Sequence, residues 1–359
     1  MSAQALDELR DRIRAANAAR TPLRIHGGST KDFYGQSLGG EPLDTRSWSG
    51  IVSFEPTELV VTARCGTPLS DLQAALAEQR QMLAFEPPAF GAKATIGGVV
   101  AAGLSGPRRV SAGSVRDFVL GASLVDADGE LKRFGGQVMK NVAGYDISRL
   151  LCGSLGILGL IAEVSLKVLP LPAAERTLAL EIGHADALQQ LNRWAGQPLP
   201  ISASAWLDGR LSIRLSGAAA AVDAACSRFE REFSAVLVDQ SDAARFWSAL
   251  REHQLAFFDG EMPLWRLSLP STAPAFALDG AQLLEWGGAL RWLRSQADAL
   301  EVRRLAGAAG GSATLFRTSD RSEGVFDALS PMVAALHRRI KAQFDPNGIF
   351  NPGRMYPEL

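Results

Sequence analysis

The sequence predicts an α+β protein of more than one domain, on three observations. The chain has 359 residues, of which 47% are hydrophobic and 21% charged, enough apolar material for two cores. Residues 21 to about 172 are rich in Gly and short β-branched runs, whereas residues from about 173 to 325 are rich in Ala, Leu and Trp, with strands and helices alternating. Between them lies Leu169-Pro170-Leu171-Pro172, whose prolines stop regular structure and stiffen a linker. The expected divisions are therefore 1–172, 173–325 and 326–359, the last a helix followed by a Pro/Gly-punctuated end.

The elements follow in order. Leu6, Leu9, Ile13 and Ala16 fall at helical spacing and predict an amphipathic surface helix. The same stretch mixes acids and bases and has no apolar core, so neither a signal peptide nor a membrane-docking face is expected. Leu23 to His26 is a short strand entering the loop Gly27-Gly28-Ser29-Thr30-Lys31. Ile51 to Phe54 and Leu59 to Ala63 are strands separated by Glu55-Pro56-Thr57. Thr67-Pro68 reads as an N-cap with proline at the first helical position of a helix from Leu69 to Gln81. Thr95 to Gly106 is almost all small residues. Val119 to Val125 is a strand closed by the hairpin-type turn Asp126-Ala127-Asp128-Gly129, and Ile157 to Val168 is a strand pair or one long strand. Ala218 to Ala221 lies at a helix start.

Several function classes fall away. The net charge of -1 offers no concentrated basic face for nucleic acid. No apolar run approaches 18 residues, so no transmembrane helix is expected. Cys65, Cys152 and Cys226 are far apart and form no C-x-x-C pair, which excludes zinc ribbons and iron–sulfur clusters within this chain and points to a reducing, cytoplasmic compartment. His26, His184, His253 and His337 are scattered, so no metal site is expected. Trp194, Trp206, Trp247, Trp265, Trp286 and Trp292 read as core aromatics, and Arg303-Arg304 and Arg338-Arg339-Ile340-Lys341 as solvated faces.

Two segments carry chemistry. Gly27 to Thr30 follows a strand, and such a loop either is a plain tight turn or lets backbone N–H groups converge on phosphate oxygens, with Ser29 and Thr30 adding hydroxyls. It is neither a Walker A loop nor a G-x-G-x-x-G fingerprint. The second segment is Pro87-Pro88 followed by Ala94 to Gly106, too poor in side-chain bulk to make its own core and suited to laying backbone against a large ligand.

The order "strand, H-G-G-S-T, strands, helix, P-P, A-T-I-G-G-V-V-A, S-G, G-S-V-R-D, strand" resembles the FAD-binding domain of the vanillyl-alcohol oxidase superfamily. Gly144 to Ile147 and Cys152 to Ile161 resemble the end of that domain. Phe344 to Arg354 resembles the closing motif of its D-lactate dehydrogenase and glycolate oxidase branch. Within that branch, Arg108, Met139 to Asp146, Trp286 to Trp292 and Arg354-Met355-Tyr356 are similar to the FAD-binding subunits of bacterial glycolate oxidases.

The resemblance implies a two-subdomain PCMH-type FAD-binding domain, one subdomain with parallel strands and helices and the other mostly antiparallel, with FAD between them. An α+β cap domain and a C-terminal tail returning to the FAD domain complete it. Gly27, Gly28, Ser29, Thr30 and Lys31 would wrap the pyrophosphate. Thr95, Ile96, Gly97 and Gly98 would form a second phosphate and ribityl wall, with Gly103, Ser105 and Gly106 in the same crevice. Gly113, Ser114 and Asp117 would continue along the cofactor, Ile161 would meet the adenine through its backbone, and Asn351 would approach the flavin ring. His26 and Pro88 complete the implied contact set.

Departures from the wider family refine this. Relatives that tether FAD covalently carry a histidine after the Gly-Gly pair, where this chain has Ser29, so the implied FAD is non-covalent. Substrate-oxidising relatives carry a histidine-rich metal-binding turn, and the matching stretch here, Gly310 to Phe316, has no histidine. Oxidising a 2-hydroxy acid needs a base for the hydroxyl proton and a cation for the carboxylate. Lys140 and Arg354 are the cationic candidates, Arg354 equally reading as a salt-bridge residue, and Tyr145 reads as core; no catalytic set is assigned.

The implied role is that of an FAD-bearing subunit of a glycolate-oxidising complex, with a homologous substrate-oxidising flavoprotein and an iron–sulfur subunit as partners. The membrane would be met only through that complex, at its inner face. A self-sufficient FAD oxidase of another small hydroxy acid or alcohol, and a non-catalytic structural or electron-conduit subunit, are the alternatives.

Overall fold

A computed structural model describes residues 4–136, 146–276 and 278–359. They form two compact units, one of Met1–Leu104, Ser114–Pro170 and Ala328–Leu359, the other of Ser105–Gly113 and Leu171–Asp327.

The first unit is built on a five-stranded antiparallel sheet in the order Ile51–Glu55, Val60–Arg64, Leu160–Lys167, Val119–Val125, Leu131–Gly135. Val119–Val125 is buried at every position, which is why it reads as a continuous apolar run rather than an alternating one. A separate parallel pair joins Leu23–His26 to Glu41–Asp44. The helix Gln4–Ala19 lays Leu9, Ile13 and Ala16 into a core shared with Leu23, Leu43, Trp48, Val125, Leu160 and Phe350.

The C-terminal tail returns to this core. Leu23 N–H donates to Ile349 O (2.6 Å) and Asn351 N–H donates to Leu23 O (2.9 Å), so the tail runs beside Leu23–His26. A buried ion pair fixes the turn that precedes it. Lys341 Nζ donates to Asp345 Oδ2 (2.7 Å), Ile157 O (2.7 Å) and Phe350 O (2.8 Å), while Asp345 accepts from Ile349 N–H (2.9 Å) and Phe350 N–H (2.7 Å). Each buried charge is thus paired and hydrogen-bonded, the condition for tolerating it in a core.

The second unit carries an eight-stranded antiparallel sheet in the order Val236–Leu237, Ala174–Glu181, Arg210–Gly217, Ile201–Leu207, Ala281–Glu285, Leu290–Arg294, Leu264–Ser268, Ser312–Arg317. Leu211, Ile213 and Leu215 pack with Leu191, Trp194, Val222 and Phe229 of the helices His184–Ala195 and Ala219–Phe233. Strand alternation then turns Ser212, Arg214 and Ser216 to the other face. There Arg214 Nε donates to Ser202 Oγ (3.2 Å), Ser216 Oγ donates to Glu175 Oε2 (2.7 Å), and Arg108 pairs with the same carboxylate at 2.6 Å.

Two expectations for the stretch from Thr95 to Gly113 change. Ser105–Gly113 belongs with the second unit, held by the Arg108–Glu175 pair and by Trp286 Nε1–H donating to Gly106 O (3.0 Å). The small-residue run contains a helix, Ile96–Ala102, whose Ile96, Val99, Val100 and Ala102 are buried, so it does contribute to the core. In the stretch Gly310 to Phe316, the strand Ser312–Arg317 follows the glycine pair. Met139 to Tyr145, including Lys140, lies outside the described residues.

Candidate functional site

The strand Leu23–His26 ends at Gly27, and the chain turns because Ser29 adopts a left-handed conformation (φ 58°). The backbone N–H groups of Gly28, Ser29 and Thr30 have no acceptor among the described residues. Three consecutive donors on a turned loop form a concave anion site without a net charge. The loop's own carbonyls are held from behind: Arg354 donates to Lys31 O (3.2 Å), Asp32 O (3.1 Å) and Ser37 O (3.3 Å). Arg354, which is buried, therefore clamps this loop through its carbonyls.

Facing the loop is the first turn of the helix Ile96–Ala102. Thr95 caps it by accepting from Gly98 N–H (3.4 Å), while Ile96 N–H donates to Thr67 O and Gly97 N–H to Cys65 O (2.8 Å). These amides are already satisfied, so this wall shapes space rather than supplying free donors. The approach is close. A Cβ on Gly27 would stand 2.2 Å from Thr95 Oγ1, and one on Gly97 would stand 2.7 Å from Cys65 Cβ. Gly98 differs, since its nearest neighbour would be Thr95 Oγ1 at 3.3 Å, leaving the added atom room on the open side.

Loop and helix bound a cleft open to solvent. Of the expected contact residues, His26, Gly27, Gly28, Ser29, Thr30, Lys31, Thr95, Gly97, Gly98, Ile161 and Asn351 line it. Eight do not. Pro88 and Ile96 are both buried. Gly103 ends the helix at φ 67°, where a Cβ would meet Gly153 Cα at 2.8 Å, so its smallness serves packing. Ser114 and Asp117 satisfy each other, with Ser114 N–H and Oγ both donating to Asp117 Oδ2 at 2.8 Å. Ser105, Gly106 and Gly113 belong to the second unit.

Arg24, Thr45, Cys65, Leu155 and Gly156 also line the cleft. Gly156 sat inside the string already matched to the FAD-binding domain, whereas Cys65 has no local sequence signal. Burial pushes the Cys65 thiol up to about 12, so it stands there as an inert thiol rather than a nucleophile. Asn351 is a staple: its Oδ1 accepts from Ile25 N–H (2.6 Å) and its Nδ2 donates to Leu155 O (2.7 Å). Both ends of that amide are engaged, so any part it plays toward a ligand is positional.

The residues fit FAD. The cleft is open to solvent along its length, so an extended ligand can lie in it with one side toward water. Arg24, Lys31 and Arg354 line it against one acid, Asp32, and Arg24 Nε is buried without an acceptor among the described residues. Unsatisfied donors and a cationic bias suit a pyrophosphate. No group of His, Cys, Asp and Glu able to hold a metal occurs among the described residues. Of the second unit's histidines, His253 stacks on Phe258 (3.9 Å between ring centres) and His184 on Trp206 (4.8 Å).

Comparison with known proteins places this geometry. Residues 2–135 match the family model "FAD binding domain", and residues 320–355 match "FAD linked oxidases, C-terminal domain". Among solved structures, alkyldihydroxyacetonephosphate synthase matches with a TM-score of 0.66 at 16% identity, covering 96% of this chain and 74% of that one, a likeness of fold alone. The chain is 31% identical over 186 residues to glycolate oxidase subunit GlcD of Bacillus subtilis, spanning 51% of this chain and 39% of that protein. It is 50% identical over 351 residues to glycolate oxidase subunit GlcE of Escherichia coli, spanning 98% of this chain and 97% of that protein. The match to that protein runs from end to end, and the chain is an FAD-binding member of the GlcE family of FAD-linked oxidase subunits.

Proposed function

We propose that this chain is the FAD-bearing subunit of a glycolate-oxidising complex, converting glycolate to glyoxylate with electrons passed on through partner subunits. The observation that carries the reading is the cleft between Gly27–Lys31 and Ile96–Ala102, in a chain half identical to GlcE along its whole length. The proposed cofactor contacts are those of the cleft. The N–H groups of Gly28, Ser29 and Thr30 donate to the phosphates, Gly98 leaves room for the ribityl chain, and Asn351 and Arg354 hold the loop and tail in place. Bound FAD would supply the electron-accepting ring, whose redox chemistry its protein surroundings tune.

Attachment is non-covalent on this reading. Ser29 stands where a tethering histidine would, and the Cys65 thiol is held protonated. The chain's three cysteines are too few for a four-thiolate cluster. The strand Ser312–Arg317 brings no histidine to the position of the metal-binding turn. Both gaps are filled by partners: a homologous flavoprotein that oxidises the 2-hydroxy acid, and a cysteine-rich iron–sulfur subunit. No described helix is long and apolar enough to cross a membrane, so membrane contact would come through the complex, at the cytoplasmic side.

The test is turnover. The purified, flavin-loaded chain is assayed with glycolate and an artificial acceptor, then again with the two partner subunits added. The expected result is negligible turnover alone and full turnover in the mixture. Equal rates would make the chain a self-sufficient oxidase instead.

A further inference from the structure

The helix Pro331–Phe344 exposes an apolar stripe that nothing in its own unit covers. Met332, Leu336 and Ile340 lie at i, i+4 and i+8, with Val333 beside them, and Lys341 is the helix's one fully buried residue. Met332 is 83% exposed, Leu336 52% and Val333 40%, values that cost hydration free energy unless a partner covers them. The stripe is not isolated. Ile340 and His337 open onto an apolar groove also lined by Leu158, Met355 and the half-exposed Leu150. Stripe and groove together have the form of a helix-and-groove docking surface.

Charge decides which occupant it suits. The helix has no acidic residue, and the exposed Arg339 falls beside Met332 and Leu336 on the helical repeat, at the edge of the stripe. A second copy docked here by a two-fold would lay the helix against itself and bring like charges together, which is unfavourable. We propose that this face docks a different protein subunit, one presenting apolar side chains rimmed by carboxylates. The inference rests on the subunit role proposed above and assigns it a contact surface.

The experiment uses the full chain co-produced with the homologous flavoprotein and iron–sulfur subunits. Leu336→Glu and Arg339→Glu change exposed positions and leave the FAD cleft intact, so melting temperature and FAD content report that folding is preserved. The expected result is that Leu336→Glu lowers recovery in the complex by about tenfold or more, as loss of a central apolar anchor does, with a smaller loss for Arg339→Glu. The unmodified chain alone should sediment as a monomer. Unchanged recovery of Leu336→Glu overturns the surface while leaving the subunit role standing. A dimer of the isolated chain that Leu336→Glu converts to monomer overturns it in favour of self-association. An unmodified chain that joins neither subunit overturns both readings.

Discussion

At the scale of single residues, the chain separates groups that hold the fold from groups that face the cleft. Gly97 and Gly98 are adjacent in a run of small residues, and sequence alone treats them alike. The structure does not: Gly97 is small because Cys65 presses against it, and Gly98 because the cleft lies over it. Gly97→Leu is therefore a folding lesion, and Gly98→Leu is the informative change. His253 is a second residue whose role sequence could not assign. It is enclosed by Phe258, Trp292 and Phe316, and burial, reinforced by Arg317 and Arg266, lowers its proton affinity well below the ordinary value. The unfolded chain takes up a proton at this residue as pH falls through ~6.5, and the folded chain does not. Its contribution to stability is thus fully present above that pH and lost below it. Urea unfolding should show stability falling between about pH 7.5 and pH 5, with a shallower slope in His253→Phe, which keeps the stack. An identical slope in the variant would assign the acid lability elsewhere.

At the scale of elements, legibility followed how local the determinants are. Leu23–His26 was readable to the residue, because an apolar run meets glycine where the strand ends. Val119–Val125 was equally clear. The helix from Leu69 stops at Glu78, earlier than its pattern suggested, because Gln81–Met82 pairs with Leu169–Pro170 far along the chain. The helix Ile96–Ala102 was hidden by its Gly-Gly pair, which lowers helix propensity, and is rescued by the Thr95 cap and by packing. The tail motif was recognised by resemblance, and its physical content is the Lys341–Asp345 pair. Asp345 accepts from two backbone amides as well as from Lys341, so Asp345→Ala leaves a buried ammonium and two donors unpaired. The expected cost is about 3–5 kcal/mol, measured by denaturant unfolding. A loss under about 1 kcal/mol would mean that the turn is held by its surroundings alone.

At the scale of the whole molecule, the chain is two units whose boundaries are not linear in sequence. The tail belongs with the first unit through Asn351, Leu23 and Phe350, and Ser105–Gly113 belongs with the second through Arg108 and Trp286. The tail's return was foreseen from its motif. The loan of Ser105–Gly113 was not, because its partners lie as far as 180 positions away and leave no local pattern. Three of the expected contact residues, Ser105, Gly106 and Gly113, lie on that segment. Seven of the cleft's lining residues are glycines, and where backbone forms the wall, binding depends on space and donors rather than on any one side chain. The central claim is that this cleft holds FAD without a covalent bond. It is tested most directly by measuring FAD content per chain before and after acid precipitation, in the unmodified chain and in Gly98→Leu. The account predicts one FAD per unmodified chain, all of it released to the supernatant by acid, and a folded Gly98→Leu chain with none. Flavin retained in the acid pellet, or full FAD occupancy in Gly98→Leu, would contradict it.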